Sequence, residues 1–302
     1  MAGLQIQLSR LHSSHPSPSL SFRPLLRSSR LLLCPASFSG SRFSFSCLRN
    51  RLSVVVMAAP VQPDQRSPAL HDNSLPTKEV LEIWRGAEAV CFDVDSTVCL
   101  DEGIDELAEF CGAGQVVAEW TRRAMGGSVP FEEALAARLN LFKPSLAQVN
   151  DFLIKKPPRL SPGIADLMKK LKAENINVYL ISGGFRQMIN PVASTLGIPH
   201  ENIYANELLF GSSGEFVGFN TEEPTSRSGG KAVAVESIKK KHGYKLLVMI
   251  GDGATDLEAR RPGGADLFIC YGGVQLRESV AAKADWLVFN FQDLIESFGV
   301  CC

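Results

Sequence analysis

Asp93-Val94-Asp95-Ser96-Thr97 follows the apolar run Ala89-Val90-Cys91-Phe92, so two carboxylates stand two residues apart where a strand gives way to a loop. If the extended geometry relaxes after Asp93, both side chains reach one site. One can then attack as an anionic nucleophile while the other donates and later accepts a proton, a division of labour suited to phosphoryl chemistry. Taken alone, the pair more readily describes a polar loop edge, because Asp and Ser are ordinary residues where strands turn. Three further segments change that weighting. In Ile181-Ser182-Gly183-Gly184-Phe185 a hydroxyl meets two glycines, whose backbone N–H groups can approach an anion closely. Met249-Ile250-Gly251-Asp252-Gly253-Ala254-Thr255-Asp256 sets two more carboxylates at an apolar strand end, and Ser228-Gly229-Gly230-Lys231 introduces a lysine at the start of a helix running to Lys241. The run Lys239-Lys240-Lys241 on the same helix is a solvated end that complements the helix dipole.

Convergence of these segments would create an electrostatic conflict. Asp93, Asp95, Asp252 and Asp256 in one cleft would repel, each pair at ~4 Å costing roughly 4 kcal/mol at an effective dielectric near 20, against a typical folding stability of ~5–15 kcal/mol. A divalent cation removes the conflict, and an oxygen-only ligand set at a phosphate site points to Mg²⁺. The cation would also neutralise substrate charge while Lys231 and Ser182 hold the phosphoryl oxygens.

The elements that must position these residues alternate between strand and helix from Glu79 onward, which predicts an α/β fold: a Rossmann-like parallel sheet with helices on both faces. Strands are expected at Ala89 to Asp93, Asn177 to Ser182, Lys245 to Asp252, Leu267 to Tyr271 and Trp286 to Asn290. Three of them end in the polar, Gly-rich segments above, at the carboxyl edge where open α/β sheets bind ligands. Ser161 as N-cap and Pro162 at the first helical position predict a helix whose Ile164, Leu167, Met168 and Leu171 form one buried face. The distance from the first strand to the second is about twice what a crossover requires, so residues 101–156 read as an inserted helical cap with helices at Gly103 to Phe110, Gln115 to Ala124 and Phe131 to Asn140. Residues 207–219 read as a small β-hairpin with a Gly- and Ser-containing turn.

Composition bounds the rest. Of 302 residues 45% are hydrophobic and 21% charged, as in a soluble enzyme-sized protein, and no run approaches the ~18–20 apolar residues of a membrane span. Up to Pro63 there is no Asp or Glu, while seven arginines lie among many serines and prolines. Residues 1–58 therefore read as a disordered organelle transit peptide, cleaved near Met57-Ala58-Ala59, with a basic arm for an acidic partner as the alternative. Removing its arginines takes the balance from 31 basic against 32 acidic residues to 24 against 32, an acidic mature chain that argues against nucleic-acid binding. The cysteines after it, Cys91, Cys99, Cys111, Cys270, Cys301 and Cys302, form no CxxC pair, which excludes zinc-ribbon and thioredoxin-like readings.

In their order these segments resemble the haloacid dehalogenase superfamily of aspartate-nucleophile phosphotransferases. With Glu102-Gly103-Ile104-Asp105-Glu106, Thr121-Arg122-Arg123-Ala124-Met125-Gly126-Gly127 and Arg186 after the glycine pair, the match covers about residues 76–300. It is most similar to the members that hydrolyse O-phospho-L-serine with Mg²⁺ at the last step of serine biosynthesis. The resemblance implies that Asp93 is a nucleophile forming an aspartyl-phosphate and that Asp95 protonates the leaving serine oxygen and then activates water. It implies Asp93, the main-chain carbonyl of Asp95 and Asp252 as metal ligands supported by Asp256. Ser182, Gly183, Gly184 and Lys231 would bind the phosphoryl group, Glu102 the substrate ammonium and Arg138 its carboxylate. Met125, Gly126 and Phe131 would close over the substrate, and Thr255 and Arg277 are further candidates. With the N-terminal leader, it implies a chloroplast stromal protein that engages the organelle import machinery and neither membrane nor nucleic acid. A phosphatase for another small ester, and a silent amino-acid sensor using the same cap, are the competing readings; missing membrane spans exclude a P-type ATPase.

Overall fold

Every residue of strand β1 (Ala89–Phe92) is buried, with Val90 and Phe92 joining one hydrophobic cluster and Ala89 and Cys91 another. A strand buried on both sides belongs in the middle of a covered parallel sheet. The computed structural model, which describes residues 72–125 and 129–299, places β1 there, in a six-stranded parallel sheet of order β3-β2-β1-β6-β7-β8. Its other members are β2 (Asn177–Phe185), β3 (Ile203–Asn206), β6 (Leu247–Gly251), β7 (Leu267–Tyr271) and β8 (Trp286–Val288). The chain runs outward from β1 through β2 to β3, then returns to β6 on the other side of β1, so the strand order reverses at the β1–β6 pair. Ligands of open α/β sheets bind outside the strand ends at such a reversal.

Both faces are covered. On the face of Val90 and Phe92 lie α1 (Lys78–Arg85) through Trp84, α6 (Ile164–Ala173) through Leu167 and Leu171, α7 (Arg186–Leu196) through Ile189 and Val192, and α11 (Gln292–Ser297) through Leu294. The opposite face carries α8 (Gly230–His242) through Ala234, Val235 and Ile238, and α10 (Glu278–Ala281) through Val280. The helix expected from Ser161 starts later. Ser161 N–H donates to Val98 O at 2.9 Å, and Gly163, at φ 82°, becomes the N-cap of α6, so Ser161 belongs to the connection before it.

Among the described residues the insertion between β1 and α6 holds four helices rather than three: α2 (Gly103–Phe110), α3 (Gly114–Met125), α4 (Phe131–Phe142) and α5 (Leu146–Lys155). Leu107, Leu135, Leu139 and Val149, each at most 1% exposed, form their core, and burying such a side chain is worth about 1.5–3 kcal/mol. The same cluster takes in Phe185 and Met188 of the sheet domain and Leu208 of the hairpin β4 (Leu208–Phe210) and β5 (Phe216–Phe219). The chain enters and leaves this insertion side by side: Leu100 N–H donates to Arg159 O at 2.9 Å, Ser161 N–H to Val98 O, and Cys99 faces Leu160 in an antiparallel bridge. Beyond the expected elements, β3 forms an edge strand, β2 extends through Phe185, and β8 stops at Val288. The leader at 1–58, Gly126 and the terminal Cys301-Cys302 lie outside the described residues. Among the described residues no helix is long and apolar enough to cross a membrane.

Candidate active site

At the end of β1, Asp93 keeps extended backbone angles and the chain then makes a wide turn over Val94–Val98. Asp95 is still extended, at φ −65° and ψ 135°, and Ser96 reverses the chain in the left-handed region at φ 55°, an uncommon conformation for a residue with a Cβ. This local path brings the two carboxylates to one cleft. Asp93 Oδ1 accepts from Val94 N–H at 2.7 Å and Oδ2 pairs with Lys231 Nζ at 2.7 Å. Asp95 Oδ1 accepts from Gly103 N–H, at the start of α2, at 2.7 Å, and Oδ2 accepts from the Ser182 hydroxyl at 3.2 Å. Burial, reinforced by the charge of Asp93, pushes the Asp95 carboxyl up to about 6. A carboxyl in that range can give up and recover a proton near neutral pH.

Gly251 and Gly230 explain how β6 and α8 deliver their side chains. A Cβ at Gly251 would lie 2.4 Å from Asp256 Cγ, and one at Gly230 would lie within van der Waals overlap of the Pro224 carbonyl. Their absence lets Asp256 fold back under β6, its Oδ2 accepting from Gly253 N–H at 3.0 Å. It also lets Lys231 enter the cleft on the first turn of α8. Lys231 Nζ lies 2.7 Å from both Asp93 Oδ2 and Asp256 Oδ1. Burial alone would favour the neutral amine, but these two carboxylates outweigh it and hold the ammonium well above the usual lysine range.

Carboxylate oxygens of Asp93, Asp252 and Asp256 lie within 4.8 Å of one another. Asp252 also accepts from Arg277 Nε at 2.9 Å and from the Thr97 hydroxyl at 3.4 Å. Burial, then proximity to Asp93, raises the carboxyl groups of both Asp252 and Asp256 above their ordinary value, Asp256 the more strongly. A buried, oxygen-only donor set whose members resist ionising together fits a hard divalent cation, which would remove that resistance.

A cavity of about 650 Å³ joins this cluster to the cap. Asp93, Asp95, Lys231, Asp252 and Thr255 line its floor, with Gly183 and Gly184; Glu102, Phe131 and Arg138 line its roof, with Arg277 at the side. Ser182, fully buried, reaches the same place through Asp95. Glu102 Oε1 accepts from the Ser96 hydroxyl at 2.8 Å, and burial with the nearby Asp95 pushes its carboxyl up to about 7. Phe131 closes directly on the floor: a Cβ at Gly183 would lie 2.9 Å from its Cζ. Gly126 and the Met125 side chain lie outside the described residues, so neither is placed. Three contacts lay beyond sequence reasoning. The Ser96 hydroxyl holds Glu102, the Thr121 hydroxyl stands between Asp105 and Arg138, and Ser228 bonds the cap through Phe131 N–H and Glu132. Thr121 and Ser228 sit inside conspicuous segments, but nothing in their spacing announces these partners.

Known proteins resemble this chain in sequence and fold. The signature of the haloacid dehalogenase-like hydrolases matches residues 87–264. The chain is 73% identical over 242 residues to the chloroplastic phosphoserine phosphatase of Arabidopsis thaliana, covering 80% of this chain and 82% of that one. It is 49% identical over 217 residues to the phosphoserine phosphatase of Homo sapiens, covering 72% of this chain and 96% of that one. A solved phospho-aspartyl intermediate analogue of phosphoserine phosphatase superimposes with a TM-score of 0.61 at 27% identity, over 70% of this chain and 98% of that one. With a carboxylate pair leaving β1 at the sheet's reversal point, and with a signature spanning more than half of the sequence, this chain belongs to the haloacid dehalogenase-like hydrolase family.

Proposed function

We propose that the protein hydrolyses O-phospho-L-serine to L-serine and phosphate through an aspartyl-phosphate on Asp93, with Mg²⁺ as cofactor, as the last step of serine biosynthesis. The observation that carries this reading is one cavity with two chemically distinct ends. The floor gathers Asp93, Lys231 and the glycine pair, while the roof holds an acid, Glu102, and a buried guanidinium, Arg138. The floor suits a phosphoryl group, and the roof suits a zwitterion, whose ammonium and carboxylate need opposite partners. Names of the plant and animal relatives point to the same substrate.

The Asp93 carboxylate attacks phosphorus and the bond to the serine oxygen breaks, with the Asp95 proton passing to that oxygen. Water then attacks the aspartyl-phosphate as Asp95 takes its proton, and phosphate leaves with Asp93 restored. Lys231 and Ser182, with the Gly183 N–H, hold the phosphoryl oxygens through both displacements, and the Gly184 N–H orients the Ser182 hydroxyl. Asp93, the Asp95 carbonyl and Asp252, supported by Asp256, would hold Mg²⁺, which neutralises charge on the phosphoryl group and on the carboxylates around it. Met125, Gly126 and Phe131 would complete the roof, and Thr255 the floor. Residues 76–300 would form this phosphatase domain, with the cap at about 101–156. The Arg- and Ser-rich segment 1–58 would be read by the import machinery of the chloroplast, the organelle of the Arabidopsis relative.

Phosphate release from O-phospho-L-serine with Mg²⁺, compared with EDTA and with a panel of other small esters, tests the reading. Asp93→Asn is expected to reduce turnover by about 10³-fold or more while the protein stays folded by circular dichroism. Near-normal activity of that variant, or no preference for phosphoserine in the unaltered enzyme, would refute it.

A further inference from the structure

Arg138 is 7% exposed, a cation buried inside the cap. Its Nε donates to Ala134 O at 3.2 Å, one turn back on α4, and its Nη1 donates to the Thr121 hydroxyl of α3 at 3.3 Å. Thr121 in turn donates its hydroxyl proton to Asp105 Oδ1 of α2 at 2.8 Å. A hydroxyl has one proton to give, so accepting from the guanidinium and donating to the carboxylate fixes the direction of the chain. Each bond polarises the next. Burial lowers the guanidinium's proton affinity, and Asp105 is foremost among the carboxylates that oppose this, ahead of Glu102 and Asp95.

The consequence lies in which donors remain. Guanidinium carries five N–H groups, and these two bonds use two of them. No carboxylate among the described residues forms an ion pair with Arg138, although the residue borders the cavity. A direct Asp105–Arg138 pair would occupy the donors that an incoming carboxylate needs and would have to be broken at every turnover. A hydroxyl between them keeps the counter-charge close and the planar fork open. We propose that Asp105 and Thr121 form a positioning relay that holds Arg138 ready for the substrate's carboxylate, so that Thr121 sets selectivity for amino-acid phosphates by acting through Arg138. The inference rests on the role of Arg138 given under the proposed function.

Two probes separate the ends of the cavity: O-phospho-L-serine needs both, and inorganic phosphate needs only the floor. Thr121→Val, which keeps the side-chain shape and removes the hydroxyl, is expected to raise KM for O-phospho-L-serine roughly tenfold. It should leave kcat within about threefold and the inhibition constant of inorganic phosphate unchanged. Thr121→Ser, which restores the hydroxyl, is expected to return KM to near the unaltered value. Unchanged KM in Thr121→Val, a parallel weakening of phosphate inhibition, a collapse of kcat, or failure of Thr121→Ser to rescue would each overturn the relay. If the unaltered protein does not hydrolyse O-phospho-L-serine, the functional reading falls first. If it does and Thr121→Val is not selective, the relay alone falls.

Discussion

Gly184 shows how little room is left beside the Asp95 carboxyl. A Cβ there would lie 3.0 Å from both Asp95 Oδ2 and Ser182 Oγ, the two atoms whose hydrogen bond orients Asp95, while Gly184 N–H itself donates to Ser182 Oγ at 2.8 Å. Gly184→Ala therefore displaces the Asp95 carboxyl, the proposed proton-transfer group, while Asp93, Asp252 and Asp256 are not among its nearest neighbours. Its kcat for phosphoserine is expected to fall about 10²-fold, the size of a lost general acid or base, with a change in thermal midpoint too small to account for it. Steady-state kinetics beside a melting curve checks both halves. The same residues show what a sequence can disclose at this scale. Asp93 and Asp95 follow an apolar run, Ser182 and Asp252 end apolar runs beside glycines, and Lys231 follows a glycine pair at a helix start, so residue type and place coincide. Asp105 and Thr121 carry no such mark: each is an ordinary polar residue on its own helix, and their contact arises from how α2 packs on α3.

Between elements, the N-terminus of α4 is fastened to the loop before α8. Phe131 N–H donates to the Ser228 hydroxyl at 3.2 Å, and Ser228 donates from both its N–H and its hydroxyl to Glu132 Oε2 at 3.0 Å. These bonds join cap to sheet domain at the mouth of the cavity and are exposed, so each is worth about 0.5–1.5 kcal/mol net. Ser228→Ala removes two of the three, and a shift of about 1 kcal/mol in closure changes the population of the closed cap roughly fivefold. KM for phosphoserine is expected to rise about three- to tenfold, and kcat to hold or increase if product release limits it; unchanged KM would show that the latch does not govern closure. At this scale the sequence disclosed helices by their apolar spacing and missed elements with weaker pattern. α5 opens on a full capping box between Ser145 and Gln148, a start signal that apolar spacing alone does not register. β3, four residues at the sheet edge, is too short for any periodicity to identify. The delayed start of α6 depends on Ser161 bonding Val98, more than sixty positions earlier in the chain, a partner no local rule supplies.

Across the whole molecule, the buried acids make stability depend on pH in a definite sense. Burial raises Asp95 from its ordinary 3.8 to about 6 and Glu102 from 4.5 to about 7, and raises Asp252 and Asp256 as well. Each group is raised in the folded chain, so between about pH 4 and 7 the folded state binds more protons than the unfolded one, and stability falls as pH rises through that window. The raised ammonium of Lys231 titrates above this range, and Asp101, held below its ordinary value by Arg159, titrates beneath it. A divalent cation competes with those protons for the folded cluster and adds about 2.7 kcal/mol at a hundred times its Kd. The thermal midpoint in EDTA is therefore expected to drop from pH 5 to pH 8, and Mg²⁺ to raise it more at pH 8 than at pH 5. An EDTA midpoint that climbs with pH, or a cation effect larger at pH 5, would contradict the linkage. The antiparallel bridge of Cys99 with Leu160 has a different consequence. Because the two ends of the insertion lie against each other there, the segment between them is a cassette: it could be exchanged for a foreign one through two adjacent splice points while β1 and β2 keep their register. The sheet and the inserted helices are thereby written on adjoining stretches of chain, and a replacement insertion would have to restore the Gly103 N–H that holds Asp95 and the Glu102 carboxylate that accepts from Ser96.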